Sequence, residues 1–236
     1  MVDKNNYKFN NSKNNSLNYL SLDIIDDKEY FCSLINIMLS ITDKENNKLF
    51  EELNELNYDI LKSKLYKSEK LNNNNDINIK LSIPKTFHVT TFFKSKFDTF
   101  SNNQAYLEFK EDKSVLINLL AIIYIKNKSL ICVVKCKDAY VNNLVPHITT
   151  LLGSYKPKES NDICESIFIK GIYKREFESY LSNDQEYIKS CFDNKSEDQF
   201  LLKVLDLNIF EINEKINIIL INPCKPITYV AKMSKH

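Results

Sequence analysis

FHVTTFF at residues 87–93 and VPHITTLL at residues 145–152 share one pattern: a histidine, an apolar residue and two threonines. The whole sequence has three histidines and eight threonines, so two of the histidines and four of the threonines lie in these two stretches. β-Branched and aromatic residues surround both histidines, which favours strands over helices. The repeat therefore predicts two strands of the same design.

The alternation of a strand predicts which side chains of the pattern lie together. Residues two positions apart share a face, at about 6.6 Å separation. His88 and Thr90 would therefore face one way, and His147 and Thr149 would do the same in the second stretch. If the two strands lie side by side, two imidazoles and two hydroxyls can surround one phosphate group.

Histidine titrates near neutral pH, so one ring of such a pair can act as a general base and the other as a general acid. Thr90 and Thr149 can donate hydrogen bonds to the non-bridging phosphate oxygens, where negative charge accumulates in the transition state. The sequence does not assign the base and the acid to particular histidines. Histidines more than about 10 Å apart would exclude this chemistry, because both must reach the same phosphate.

This pattern resembles that of the 2H phosphoesterase superfamily, which is defined by two His-x-Ser/Thr motifs. The longer strings FHVTTFFK (87–94) and PHITTLLGSYKP (146–157) look most like the 2H domain of the RNA-repair group called the Swiss Army Knife proteins. The resemblance covers roughly residues 77–172. It implies an α+β, bilobal, LigT-like fold, with two antiparallel sheet halves around a central cleft.

The resemblance also implies an activity. Members of the superfamily open 2′,3′-cyclic phosphates on RNA ends or nucleotides, without a metal ion or another cofactor. Carried over to this sequence, the catalytic residues are His88, Thr90, His147 and Thr149. The partner is then an RNA with a cyclic phosphate end, or a cyclic nucleotide.

Four residues next to the motifs are candidates for substrate binding. Lys94 and Lys156 follow the two strands and place positive charge where a phosphate would bind. Tyr155 and Phe92 can stack on an unpaired base. Alternation predicts that Phe92 faces the cleft and that Phe93 packs in the core.

Two other classes of function are compatible with the sequence. The same cleft could bind an RNA end or a nucleotide without turnover, although holding a ligand needs cations more than it needs a titratable imidazole pair. In a purely structural protein, the doubled motif would be a coincidence.

Composition sets further bounds. A chain of 236 residues with 43% hydrophobic content can bury a sizeable core as one α+β domain with an appendage. The formal net charge is +1, so attraction to RNA must come from a local patch rather than from the charge of the whole chain.

The six cysteines contain no Cys-x-x-Cys pair, and the motif histidines lie with threonines rather than with carboxylates, so we predict no metal site. The longest apolar run, 115–125, is shorter than the roughly 20 residues that span a bilayer, so we predict no membrane segment. Without a signal peptide, we expect reduced thiols and a cytoplasmic or nuclear location.

The pattern along the chain predicts three segments: a disordered tail over 1–16, a helical lead segment with a polar connector over 17–76, and the 2H phosphoesterase-like domain over 77–236. We expect helices near 31–39 and 49–65, and later one or two helices between 177 and 192. We expect strands over 77–83 and 166–172. We also expect one hairpin from 114–124 and 130–135, lying between the motif strands in the sheet, and a final hairpin from 207–212 and 216–221. His236 lies outside any apolar pattern, and we assign it no role.

Overall fold

A computed structural model of the chain describes residues 19–42, 44–55, 58, 83–93, 103–126, 128–153, 157–171, 173–182, 184, 186, 201–209, 214–221 and 226–236. The strands are β1 (Tyr19–Ile24), β2 (His88–Phe93), β3 (Ser114–Ile125), β4 (Ser129–Cys136), β5 (His147–Leu152), β6 (Leu201–Ile209), β7 (Glu214–Ile221) and β8 (Ile227–Lys235). The helices are α1 (Asp27–Ile41), α2 (Lys44–Glu55), α3 (Gln104–Leu107), α4 (Pro157–Phe168) and α5 (Lys174–Ser182).

The described strands form one antiparallel sheet that closes on itself. Its order is β4-β5-β2-β1-β8-β3-β7-β6, and β4 also pairs with β3. Six strands therefore form a barrel, and β7 and β6 extend the sheet beyond it. The protein is thus an α+β protein in which both motif strands belong to the barrel.

Strand β3 belongs both to the barrel and to the extension. Its first half, up to Leu119, pairs with β8, and its second half, from Ala121, pairs with β7. The pairing with β4 shifts register between Leu119 and Ala121, which leaves Leu120 as an extra residue. Such a bulge bends a strand and increases its twist, and this allows one strand to serve two neighbours.

The larger core lies on the face of the sheet that the six barrel strands share, together with α1 and α2. Helix α1 begins where the Asp26 side chain accepts a hydrogen bond from the Glu29 backbone N–H, as an N-cap does. Its buried residues recur at spacings of three and four, which places them on one side of the helix. They are Tyr30, Phe31, Leu34, Ile35 and Met38.

A second core lies on the opposite face, where α4 and α5 pack against β4, β7 and the second half of β3. Ile163, Ile167 and Phe177 supply helix side chains to it, and Ile131 and Val133 supply strand side chains. The Lys135 Nζ donates to the carbonyl of Leu181 at 2.9 Å, which fixes the end of α5 to β4. This second core borders the motif strand β5, because Val133 pairs with His147 and Ile131 pairs with Thr149.

Several predicted elements are confirmed. The helix near 31–39 is α1, the helix starting near 177 corresponds to α5, and Leu49 and Leu53 are buried on α2. The predicted hairpin of β3 and β4 forms, and the Lys128 N–H donates to the Ile125 carbonyl at its turn. The last predicted hairpin corresponds to β6 and β7.

Two predictions about elements are wrong. Where a strand was expected over 166–172, the described residues up to Gly171 are the end of α4 and the turn after it, because Ile163, Ile167 and their neighbours have helical spacing. Gly171 closes that turn, where a Cβ would clash with the Ser166 carbonyl. The β3–β4 hairpin does not lie between the motif strands, because β2 pairs with β5 directly.

Residues 17–76 were predicted to be a helical lead segment with a polar connector, and α1 and α2 lie in this segment, together with a strand that was not predicted. β1 lies in this segment and pairs with β2 on one side and with β8 on the other. The segment 17–76 therefore contributes a strand to the sheet that contains both motif strands. The predicted tail over 1–16, the connector and the strand over 77–83 lie almost wholly outside the described residues.

Candidate active site

The two motif strands are antiparallel neighbours. Val89 of β2 is the register partner of Ile148 of β5. This register sets the histidine of each strand opposite the first threonine of the other strand. The opposed pairs are His88 with Thr149 and Thr90 with His147. The two histidines are diagonal neighbours, for which the Cα separation is about 7–8 Å, within the limit set by two-histidine chemistry.

Both strands present the same face toward the site. Val89 and Ile148 are fully buried in the larger core. Because side chains alternate along a strand, the histidine and the first threonine of each motif point to the opposite face. The structure therefore brings together the four residues that the sequence predicted to be catalytic.

Each imidazole is held in the same way by its own chain. His147 Nδ1 lies 2.9 Å from the carbonyl oxygen of Val145, and His88 Nδ1 lies 3.3 Å from that of Thr86. A carbonyl oxygen only accepts, so Nδ1 carries the hydrogen in both bonds. When the ring is neutral, Nε2 is then the unprotonated nitrogen that is available to a substrate.

The two histidines differ in their surroundings. His147 is only 8% exposed, and burial lowers its pKa, an effect to which the nearby His88 adds. Burial also lowers the pKa of His88, but the Asp23 carboxylate acts in the opposite direction. A proton on His88 thus disfavours a proton on His147. A neutral ring and a protonated ring side by side are the pair that acid–base catalysis needs.

The two threonines of each motif have different roles in the structure. The Thr149 hydroxyl lies 3.3 Å from the hydroxyl of Ser160, a fully buried residue of α4. Thr150 points to the larger core, where its hydroxyl is 2.8 Å from the Tyr30 hydroxyl. The first threonine therefore faces the site, and the second attaches β5 to α1. On β2, Thr91 is likewise buried.

The prediction for Phe92 is wrong. The pairing of β1 with β2 shifts register, so that Leu20 pairs with Phe92 while Ser21 pairs with Thr90. Thr91 is thus an extra residue, and the bulge reverses the alternation after it. Phe92 is 2% exposed and packs with Leu20, whereas Phe93 is 67% exposed.

The bulge places Phe93 opposite Tyr19 of β1, on the same face as the motif histidines. Phe93, which was predicted to be a core residue, is therefore the aromatic side chain of β2 that is open to a ligand. The other predicted substrate-binding residues, Lys94, Tyr155 and Lys156, lie outside the described residues.

Three residues that the sequence analysis missed lie beside His88. Asp23 is its register partner on β1, and Tyr19 stacks on it with ring centroids 5.4 Å apart. His236, which follows β8, stacks on Tyr19 at 4.6 Å, and its Nε2 lies 3.2 Å from Asp23 Oδ2. The alternation of Tyr19, Ser21 and Asp23 with buried leucines was a strand signal, but no signal in the sequence connects His236 to this site.

In the described part of the chain, no group of three or more histidine, cysteine, aspartate and glutamate side chains is arranged to hold a metal ion. The four cysteines described there, Cys32, Cys132, Cys136 and Cys164, are free thiols. No described helix has the length and apolarity of a membrane span.

Comparisons with known proteins give little further information. No protein-family model matches the chain, and no curated protein matches it in sequence. A solved structure that is similar to the chain is the crystal structure of a fungal RNA kinase, with 13% sequence identity and a TM-score of 0.45. That similarity covers 94% of this chain and 46% of the kinase, so the chain spans less than half of that protein's length. This degree of similarity assigns neither a fold family nor a function.

Proposed function

We propose that the protein is a metal-independent phosphodiesterase that opens 2′,3′-cyclic phosphates on RNA ends or nucleotides. The observation that carries the proposal is the pairing of β2 with β5, which sets the histidine of each motif opposite the first threonine of the other. In the same proposal, the chain is a 2H phosphoesterase related to the Swiss Army Knife group. We also propose that the chain has the bilobal arrangement of this superfamily.

The two imidazoles supply the proton transfers. One neutral Nε2 takes a proton from water as the water oxygen attacks the phosphorus. The bond from phosphorus to one ribose oxygen breaks, and the other imidazole, protonated at the start, gives its proton to that oxygen. The products are a phosphate monoester and a free ribose hydroxyl. The second ring is left neutral and the first protonated, so the proton must pass between the rings or through solvent before the next turnover.

The hydroxyls of Thr90 and Thr149 act on the charge of the phosphate. Both lie on the face of the sheet that carries the imidazoles, and each lies opposite the histidine of the other strand. A donor in that position stabilises a non-bridging oxygen as its negative charge increases. In the structure, the Thr149 hydroxyl donates its hydrogen to the Ser160 Oγ at 3.3 Å, so Thr149 must turn this hydrogen toward the phosphate to act as a donor there.

The alternative proposal is a binding module for RNA ends or nucleotides that uses the same face without turnover. It requires no particular tautomer. In the structure, however, both histidines make the same hydrogen bond from Nδ1 to the carbonyl two residues upstream, which leaves both Nε2 atoms available. That shared arrangement favours proton transfer over binding alone.

The test is hydrolysis of 2′,3′-cyclic nucleotides, and of a short RNA ending in a cyclic phosphate, in excess EDTA. We expect turnover by the wild type and a loss of about 10²–10⁴-fold in kcat/KM for His147→Asn. Asparagine keeps an amide near the position of Nδ1, where it can still bond the Val145 carbonyl, but has no group at the position of Nε2.

Turnover that EDTA abolishes would contradict the metal-independent mechanism. Tight binding of the cyclic-ended RNA without turnover would support the binding module instead. Both substrates should be tested, because an enzyme that requires RNA on the 5′ side of the phosphate would leave the mononucleotide intact.

A further inference from the structure

Beside His88, the structure contains a group of side chains that the two-histidine mechanism does not use. It consists of Tyr19 and Asp23 on β1 and His236 after β8. His236 is held next to β1 by two backbone hydrogen bonds: its N–H donates to the Tyr19 carbonyl at 3.0 Å, and its carbonyl accepts from the Tyr19 N–H at 3.1 Å. Its imidazole is thus fixed to the strand that borders His88.

The side chains of this group contact one another. His236 Nε2 lies 3.2 and 3.4 Å from the two Asp23 carboxylate oxygens, and the Ser21 hydroxyl donates to one of them. The Tyr19 ring stacks on both imidazoles, and the ring centroids of His88 and His236 are 6.1 Å apart. Asp23, as the register partner of His88, and His236, with its ring centroid 6.1 Å away, are therefore both neighbours of the His88 ring.

We propose that the Asp23–His236 pair is a positioning element of the site that controls the charge of His88, so that His88 keeps its proton over a pH range in which His147 is neutral. Asp23 is the register partner of His88 on the neighbouring strand, at a distance where opposite charges attract. His147 lies on β5, between β2 and β4. Its Nδ1 bonds the Val145 carbonyl, and among the described residues the charged group that acts on its pKa is His88 rather than a carboxylate.

His236 limits the effect of Asp23. A protonated His236 pairs with the carboxylate and reduces its field at His88, and it also repels a proton on His88. Removing Asp23 and removing the charge of His236 should therefore shift the titration of His88 in opposite directions. Damage to the fold would not produce opposite shifts.

Other titratable groups also lie near His88. Lys232 of β8 is the register partner of Asp23 and lies on the same face of the sheet. His147 lies on the other side of His88, and burial raises the pKa of Tyr19, whose phenol therefore stays neutral near pH 7. Among the residues described around His88, Asp23 is the carboxylate that raises its pKa.

If the chain is the phosphodiesterase proposed above, this charge arrangement assigns the roles of the two histidines. His88, protonated beside Asp23, gives its proton to the leaving ribose oxygen. His147, buried and neutral, takes the proton of the attacking water. This assignment rests on the proposed function, whereas the charge coupling itself does not.

The experiment is a two-dimensional ¹H–¹⁵N NMR titration of the imidazoles, which needs no activity. The sequence has three histidines, so His88→Asn, His147→Asn and His236→Gln assign the three signals. In the wild type, we expect His88 to titrate at a higher pH than His147. Asp23→Asn should move the His88 titration to lower pH, and His236→Gln should move it to higher pH.

Glu178→Gln is the matched control, since it removes a carboxylate on α5 that is 62% exposed and pairs with Lys174. It should leave all three titrations unchanged. The proposal is overturned if Asp23→Asn leaves His88 unmoved, if both variants move it in the same direction, or if His147 titrates above His88. If Asp23→Asn does not fold, His236→Gln alone still shows in which direction the charge of His236 shifts the titration of His88.

An activity profile then tests the assigned roles. In kcat/KM, we expect the alkaline limb to shift with His88, to lower pH in Asp23→Asn and to higher pH in His236→Gln. A shift of the acid limb instead would reverse the roles of the two histidines and overturn the assignment. If the histidines titrate as expected but the protein turns over none of the substrates, the charge coupling is supported and the phosphodiesterase function is not.

Discussion

The two His-apolar-Thr-Thr stretches have almost the same sequence but lie in different surroundings. On β5, His147 is 8% exposed, and α4 and the second core lie beside its strand. On β2, His88 is partly exposed and borders β1, where Asp23, Tyr19 and His236 surround it. The local strand geometry is shared, since Nδ1 of each ring hydrogen-bonds the backbone carbonyl oxygen two residues upstream.

The motif thus determines where each Nε2 lies, while the neighbouring strands and helices determine the charge of the ring. Burial lowers the pKa of both histidines, but among the described residues a carboxylate, Asp23, acts against this effect at His88 and none does so at His147. Two histidines can then perform different proton transfers, one as a general acid and the other as a general base. Four predictions test this difference.

The largest expected effect is the loss of either imidazole. His88→Asn and His147→Asn should each reduce kcat/KM for a cyclic phosphate by about 10²–10⁴-fold, the range expected for a general acid or base. The kcat/KM of the double variant should be little lower than that of the less active single variant, because the two rings act as a unit. Steady-state kinetics measure this. Independent, multiplicative losses would mean that the two strands do not act on one reaction.

A smaller effect is expected for the first threonines. Thr90→Val and Thr149→Val keep the branched shape and remove the hydroxyl, and each should lower kcat by about a hundredfold if it stabilises the transition state. Ser160→Ala should cost less, because Thr149 keeps its own hydroxyl and loses only the neighbour that orients it. Thr228→Val is the control, at an exposed threonine of β8.

A change in kcat as large in Thr228→Val as in Thr90→Val would show that the effect is not local to the site. Equal losses in Thr149→Val and Ser160→Ala would indicate that Ser160 itself contacts the phosphate.

The third prediction concerns the attachment of β5 to α1. Tyr30→Phe removes the hydroxyl that pairs with the buried Thr150 hydroxyl, so the free energy of unfolding should fall by about 1–3 kcal/mol. Urea denaturation measures it. Tyr140→Phe, at a tyrosine that is 46% exposed, is the control and should change little. Equal midpoints for the two variants would show that Cys132, which lies 3.6 Å from Thr150, replaces the lost partner.

The smallest effect is the dependence of stability on pH. Burial lowers the pKa of His147 below its ordinary value of 6.5, so below that pH the unfolded chain binds a proton more readily than the folded chain. The stability that the neutral ring contributes is complete above about pH 6.5 and is lost as the pH falls. In His147→Asn, the free energy of unfolding should therefore fall less steeply than in the wild type as the pH is lowered from 6.5.

His88→Asn should flatten the same decline less, because Asp23 opposes the effect of burial on His88. Urea titrations at several pH values compare the two. A steeper decline in His147→Asn than in the wild type would contradict the sign of the burial effect.

The sequence predicted part of this site and missed another part, for identifiable reasons. Alternation placed His88, Thr90, His147 and Thr149 on a common face, because alternation depends only on the local backbone. It failed at Phe92, because the extra residue Thr91 is defined by the pairing with β1 and not by the composition of β2. His236 was missed because its neighbours in space are distant in sequence.

The sequence by itself determined the strand character of both motifs, the helix α1 and the hairpin of β3 and β4, because periodicity and turn residues act over a few positions. Only the tertiary structure decided that β2 and β5 are neighbours, that β1 completes the barrel, and that Asp23 and His236 lie beside His88. Pairing between distant strands depends on which apolar faces can be buried together, and that is a property of the whole chain. The chemistry of each histidine depends on those neighbours.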